Sequence, residues 1–146
     1  MDELNNLQAT LLECRYNLKK KNIVGEDACP ICGVEVETSN HLILDCSFAK
    51  EIWASLNVDT TGHDVATLWV LPRPSLIPAA HYNTFLLMVS WFLWIHRNAV
   101  AFNSLPPSRA RVKSALLDAA PIWRHRLPAG SAVVVDSWCS LFSSNM

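Results

Sequence analysis

Apolar residues recur at helical spacing along most of the chain. Leu4, Leu7, Leu11, Cys14 and Leu18 are spaced 3, 4, 3 and 4, which makes one stripe on a helix over about residues 3–20. The stripe suits packing on the rest of the domain; a coiled coil would have only two and a half heptads. Phe48, Ile52, Trp53 and Leu56 share a face of a second helix, for which Ser47 is the expected cap. His41 falls at the third position of a short helix that Thr38 can cap, with Leu42 and Leu44 as anchors to the core. Residues 57–80 read as a connection, because Pro72, Pro74 and Pro78 exclude a helix across 70–78. Within it, residues 64–71 allow a helical turn or a short strand.

The longest predicted helix runs from His81 to about Asn103. Residues 84–95 contain no charge, fewer than the 20 or so needed to span a bilayer, so the pattern predicts a central buried helix. Core packing is the expectation for Trp91, Trp94 and Phe102, with base stacking the alternative. Beyond Pro106-Pro107, Ser108 caps a helix whose apolar face is Val112, Ala115, Leu116 and Ala119, and Pro121 breaks or kinks it before Trp123. Residues 131–142 fit either a strand followed by a turn or a last short helix. The fold class expected is mainly α: a small Cys-Cys-His-Cys zinc knuckle embedded in a helical domain with one long central buried helix. The expected division is a zinc-knuckle module with its N-terminal helix over 1–60, a Pro-containing connection over 61–80, and a helical second half over 81–146 packed on the first as one domain.

The zinc expectation comes from Cys29-Pro30-Ile31-Cys32-Gly33, His41 and Cys46, in the order Cys-x2-Cys-x8-His-x4-Cys. This is one complete set of tetrahedral zinc ligands in a short window. The two-residue gap lets both thiolates of a tight turn reach one ion, and Gly33 supplies the backbone freedom of that turn. Three thiolates and a neutral imidazole leave no ligand position for water, so the one Zn²⁺ is expected to be structural. Cys14 and Cys139 remain, and reduced thiols are the expectation for both.

The motif extends beyond the ligands. Asn17-Leu18-Lys19-Lys20, Cys29-Pro30-Ile31-Cys32-Gly33, Glu37-Thr38, His41-Leu42, Cys46 and Ile52-Trp53 together resemble the zinc-binding domain that follows the reverse transcriptase in plant non-LTR (LINE-type) retrotransposons. Trp91-Phe92-Leu93-Trp94-Ile95-His96-Arg97-Asn98 and Phe102 are similar to the tryptophan-rich, Arg-Asn-bearing helix found downstream of it, so the resemblance spans roughly residues 7–103. It implies zinc ligation by Cys29, Cys32, His41 and Cys46. It also implies a segment that helps a reverse transcriptase engage its RNA or target DNA.

Charge adds an asymmetry that the net value of −1 conceals. Residues 1–73 carry eleven acids and six bases; residues 74–146 carry only Asp118 and Asp136 against six arginines and lysines. Arg97, Arg109, Arg111, Lys113, Arg124 and Arg126, with Lys19, Lys20 and Lys21, are the candidate nucleic-acid contacts. The lysine run also suits the negative end of the first helix. A pI near 6.5 lacks the basic excess of strong autonomous nucleic-acid binders, and the charge split equally suits packing of one half on the other. Low charge and six tryptophans suit a protein partner, so a protein–protein interaction module taken up by a plant host, regulatory or immunity-related, is the alternative. Bases clustered and exposed favour nucleic acid, whereas bases paired to the acidic half favour protein.

No catalytic constellation is visible. The chain has four glycines and no phosphate loop, no His-Glu-x2-His, and His63, His81, His96 and His125 stand singly. The expectation is a non-enzyme with no small-molecule substrate and no membrane. An acidic start without an apolar secretory core adds a nuclear or cytoplasmic location to the expectations.

Overall fold

The computed structural model describes residues 28–34 and 36–146. The predicted helix over residues 3–20, with Cys14, and the lysines 19–21 lie outside the described residues. Among the described residues the regular structure is helical, and the one β feature is an isolated antiparallel bridge between Ala28 and Val36.

That bridge closes the turn holding the first two cysteines. The Gly33 N–H donates to the Cys29 carbonyl at 2.8 Å, and Gly33 takes φ +70°, where a Cβ would be strained. A single π-helical turn follows at His41–Asp45, then α1 at Ser47–Ser55. Thr38 Oγ1 accepts the His41 N–H at 3.1 Å, as expected of a capping residue. Ser47 does not cap α1. Cys46 occupies the N-cap position and Ser47 is the first helical residue, because the Cys46 N–H is turned back to the His41 carbonyl at 2.7 Å.

The connection contains one 3₁₀ segment, Val65–Val70, closed by a capping box in which Asp64 and Thr67 bond each other's backbone N–H. It is tied to the zinc turn: Asn40 Oδ1 accepts the Val65 N–H at 2.8 Å. Tyr82 holds its end by donating to the Pro72 carbonyl.

Four helices complete the chain: α2 at Tyr82–Asn103, α3 at Arg109–Ala119, the short α4 at Trp123–Arg126 and α5 at Ala132–Asn145. Ser108 caps α3 by accepting the Arg111 N–H. Pro121 sits in a 3₁₀ turn at Ala120–Ile122 that redirects the chain into α4. Of the ambiguous residues 131–142, Ser131 is the N-cap and the rest are helical. Val135, Trp138, Leu141 and Phe142 then lie on one face and are buried.

Helix α2 is the axis of the molecule. It packs against α3, the zinc turn and the 3₁₀ segment, while α5 packs on α3. One apolar core unites Ile43, Leu44, Ile52 and Trp53 with Phe85, Val89, Leu116, Trp138 and Phe142. Phe85 stacks on Phe142 with ring centroids 5.7 Å apart. At 22 residues α2 extends beyond residues 84–95 at both ends. By length and composition alone it is long and apolar enough to cross a membrane, and 44 % of its most apolar stretch is buried in the protein. Its apolar character exceeds what the core covers: Trp91, Ile95 and Phe102, on one face, stay outside. Core packing therefore does not account for Trp91 or Phe102, although it does for the half-buried Trp94. Among the described residues, most buried positions of α2 lie on the opposite side of the helix from Trp91, Ile95 and Phe102.

Candidate metal centre

The four ligands reach the site on three local devices. The 29–33 turn presents Cys29 and Cys32, the capped π-helical turn presents His41, and the start of α1 presents Cys46. The Trp53 indole donates to the Ile43 carbonyl at 2.7 Å, which locks the π-helical turn onto α1 from behind. Leu42, Ile43 and Leu44 are buried beneath it.

One ligand atom from each of Cys29, Cys32, His41 and Cys46 lies within 4.8 Å of all the others. Cys29 Sγ and Cys46 Sγ are 3.9 Å apart; Cys32 Sγ and His41 Nε2 are 3.3 Å apart. With Zn–S near 2.3 Å and Zn–N near 2.0 Å, tetrahedral geometry demands edges of about 3.8 and 3.5 Å. The donor set thus fits Zn²⁺ in geometry and in chemistry. Protonation gives a second sign of fit. Cys29 shares a hydrogen bond with Cys46, and this with burial pushes the Cys29 thiol far up; the same contact lowers Cys46. Two thiolates this close repel each other unless a cation lies between them, and Zn²⁺ lets both ligate as thiolates. Cys29, His41 and Cys46 are buried and Cys32 is partly so, leaving no open coordination position of the kind hydrolytic zinc needs. The zinc is structural.

The nominated basic residues do not form one set. Arg97 is a correction: it is 1 % exposed and is not a surface contact for nucleic acid. Its Nε donates to Glu37 Oε2 at 3.0 Å and its Nη2 to Glu37 Oε1 at 2.6 Å, a two-pronged ion pair across 60 positions. A guanidinium buried in α2 must find a carboxylate, because desolvation would otherwise cost too much. The sequence offered a signal in Arg97 itself, the first Asp, Glu, Lys or Arg after Arg73. The role of Glu37 was not assigned from the sequence, although it lies inside the zinc motif.

The other five bases gather between positions 109 and 126. Arg109, Arg124 and Arg126 are exposed; Arg111 and Lys113 are half-buried. Arg111 donates to the Pro106 carbonyl, Lys113 to the Ser143 carbonyl, and Arg126 lies over the Trp123 ring at 5.5 Å. Arg124 pairs with Asp136, an exposed pair that adds little stability. Lys19, Lys20 and Lys21 lie outside the described residues.

Among the single histidines, His96 is buried, stacked on Phe48 at 4.3 Å, and accepts the Ser108 N–H on Nε2 at 2.9 Å. Burial, helped by the charge of Arg111, pushes its pKa down to about 4. It is a neutral structural acceptor joining α2 to the cap of α3. His81 shares a hydrogen bond with Ser131 at 3.1 Å.

Comparison with known families agrees with this geometry. Residues 7–53 match the family described as zinc-binding in reverse transcriptase, and all four ligands fall within the match. This segment, about a third of the chain, is a zinc-binding domain of the reverse transcriptase type. No curated protein and no solved structure matches the chain.

Proposed function

We propose that the protein is a non-catalytic, zinc-stabilised binding module derived from a plant retrotransposon reverse-transcriptase protein, and that it contacts RNA or DNA. The carrying observation is the excess of bases carried by α3 and α4. Arg109, Arg111, Lys113, Arg124 and Arg126 lie within eighteen positions, and Asp118 and Asp136 are the acids nearby. Hydrogen bonds to neutral carbonyls leave Arg111 and Lys113 their charge, which remains available to phosphates. In this reading zinc shapes the module and takes no part in chemistry, the site of action is nuclear or cytoplasmic, and α2 belongs to a protein core and not to a bilayer, since Arg97 and His96 are satisfied by protein groups.

The test is fluorescence anisotropy of the zinc-loaded chain against single-stranded RNA and duplex DNA at low and physiological salt. Binding should weaken as salt rises, with a log–log slope of about −0.7 to −0.9 per phosphate neutralised. It should disappear in Arg109→Glu/Arg111→Glu/Arg126→Glu. No binding at low salt would retire the reading.

A second reading, a protein-interaction module in a plant host, is favoured by a different observation. Trp91, Ile95 and Phe102 expose 38, 38 and 66 % of their surface on one face of α2. Arg97, paired to the acidic half, also leaves the basic set. A Trp91→Ser/Phe102→Ser variant that keeps its RNA affinity but loses a partner recovered from plant extract would favour this reading.

A further inference from the structure

The Arg97–Glu37 pair is costly to bury, and apolar residues of similar shape often replace such pairs without loss of stability. What the pair holds is therefore informative. Glu37 sits between two residues that aim zinc ligands. On one side Val36 bridges to Ala28, the residue before Cys29. On the other, Thr38 accepts the His41 N–H on its hydroxyl and the Leu42 N–H on its carbonyl. The peptide at 36–38 is folded tightly, with the Thr38 N–H on the Val36 carbonyl at 3.1 Å. A displacement of Glu37 must then move the Cys29 turn and the His41 turn together.

Arg97 is well placed to prevent that displacement. Nε and Nη2 grip both carboxylate oxygens, Nη1 donates to Asn98 Oδ1 at 2.7 Å, and the guanidinium lies over the Phe102 ring at 5.5 Å. The fork is thus oriented by its own helix before it meets Glu37. Cys46 has a separate anchor in α1, and the π-helical turn has the Trp53–Ile43 bond. The Cys29 and His41 side of the site is tied to the long helix through Glu37.

We propose that Arg97 is a positioning residue for the zinc site: through Glu37 it sets the ligand frame against α2, so that zinc affinity depends on a side chain 60 positions away that does not touch the metal. Coupling of this kind is reciprocal, so bound zinc also holds Arg97 in the core.

The experiment measures zinc affinity of the full chain by competition with a chromophoric chelator, and records the visible absorption of the Co²⁺-substituted protein as a report on ligand geometry. Arg97→Met and Glu37→Gln should weaken zinc binding about 10–100-fold, the range seen when groups supporting metal ligands are removed. Arg97→Lys, which keeps charge but lacks the fork, should recover only part of the loss. The deciding variant is Glu37→Met/Arg97→Met. Removing both charges should restore stability at saturating zinc while affinity stays weak and the Co²⁺ bands stay shifted. Trp138→Ala in α5 is the control, destabilising the chain without altering zinc affinity. If Arg97→Met fails to fold, the double variant and Arg97→Lys carry the test. Wild-type affinity and Co²⁺ bands in the folded double variant would overturn the proposal and leave the pair a purely structural one.

Discussion

The ligand-bearing segment over residues 28–46 and the helix α5 both reach the centre of the protein, by opposite means. The first buries Cys29, Glu37, His41 and Cys46 among its leucines and isoleucine; the second buries Val135, Trp138, Leu141 and Phe142 and no charge. In the first, irregular backbone is fixed by a metal, an ion pair to Arg97, a cap and an indole bond. In the second, regular backbone satisfies itself and apolar area does the rest. A segment with little regular structure must import its constraints, and each imported constraint is a point where the fold can be broken without touching the other region.

Metal removal should separate the regions most sharply. Structural zinc binding carries an apparent free energy of about 10–16 kcal/mol in small zinc domains. Chelation, or Cys29→Ser, should therefore abolish hydrogen-exchange protection over residues 28–56 while α3 and α5 keep most of theirs. Equal loss everywhere would show that the core cannot stand without the knuckle. Trp138→Ala reverses the experiment. Trp138 is fully buried and its indole N–H makes no hydrogen bond, so packing alone is lost, at about 3–5 kcal/mol in urea unfolding.

His96 tests the seam between α2 and α3. The folded protein holds it neutral with a pKa of about 4, against 6.5 for the ordinary group, so the unfolded chain takes up the proton first as pH falls. Its contribution is complete above about pH 6.5 and is lost progressively toward pH 4. Because the thiolates also suffer in acid, the informative quantity is the difference from His96→Phe. The wild type should lose on the order of 2 kcal/mol more than that variant over this window, read from denaturant titrations at each pH. Parallel pH profiles would remove His96 from the account. The smallest effect expected is that of Ser108→Ala. Loss of the α3 cap should cost about 1 kcal/mol, lower the melting temperature by a few degrees, and leave zinc affinity unaltered.

Legibility followed the same division. Ligand spacing, the Gly33 turn, the Thr38 and Ser108 caps and the long helix ending at Asn103 were all readable, because each depends on neighbours within a few residues. The cap of α1 was misplaced by one position because Cys46 has two tasks, as ligand and as N-cap, and propensity alone favours Ser47. Residues 131–142 were ambiguous because a Val-Val-Val run suits a strand until the spacing of Trp138, Leu141 and Phe142 is satisfied by a core. Arg97 was misassigned because a sequence shows a charge but not its partner.

The sequence by itself determined the metal and its four ligands, since coordination chemistry fixes residue types and a short chain fixes their reach. It also determined the helical class, through the 3.6-residue period. Only the tertiary structure decided which charges face water. It turned Arg97 inward to Glu37, left Arg109, Arg124 and Arg126 exposed, and uncovered Trp91, Ile95 and Phe102 on a helix whose composition suggested burial. Burial depends on which elements pack on which face, a relation between distant segments that no local pattern encodes.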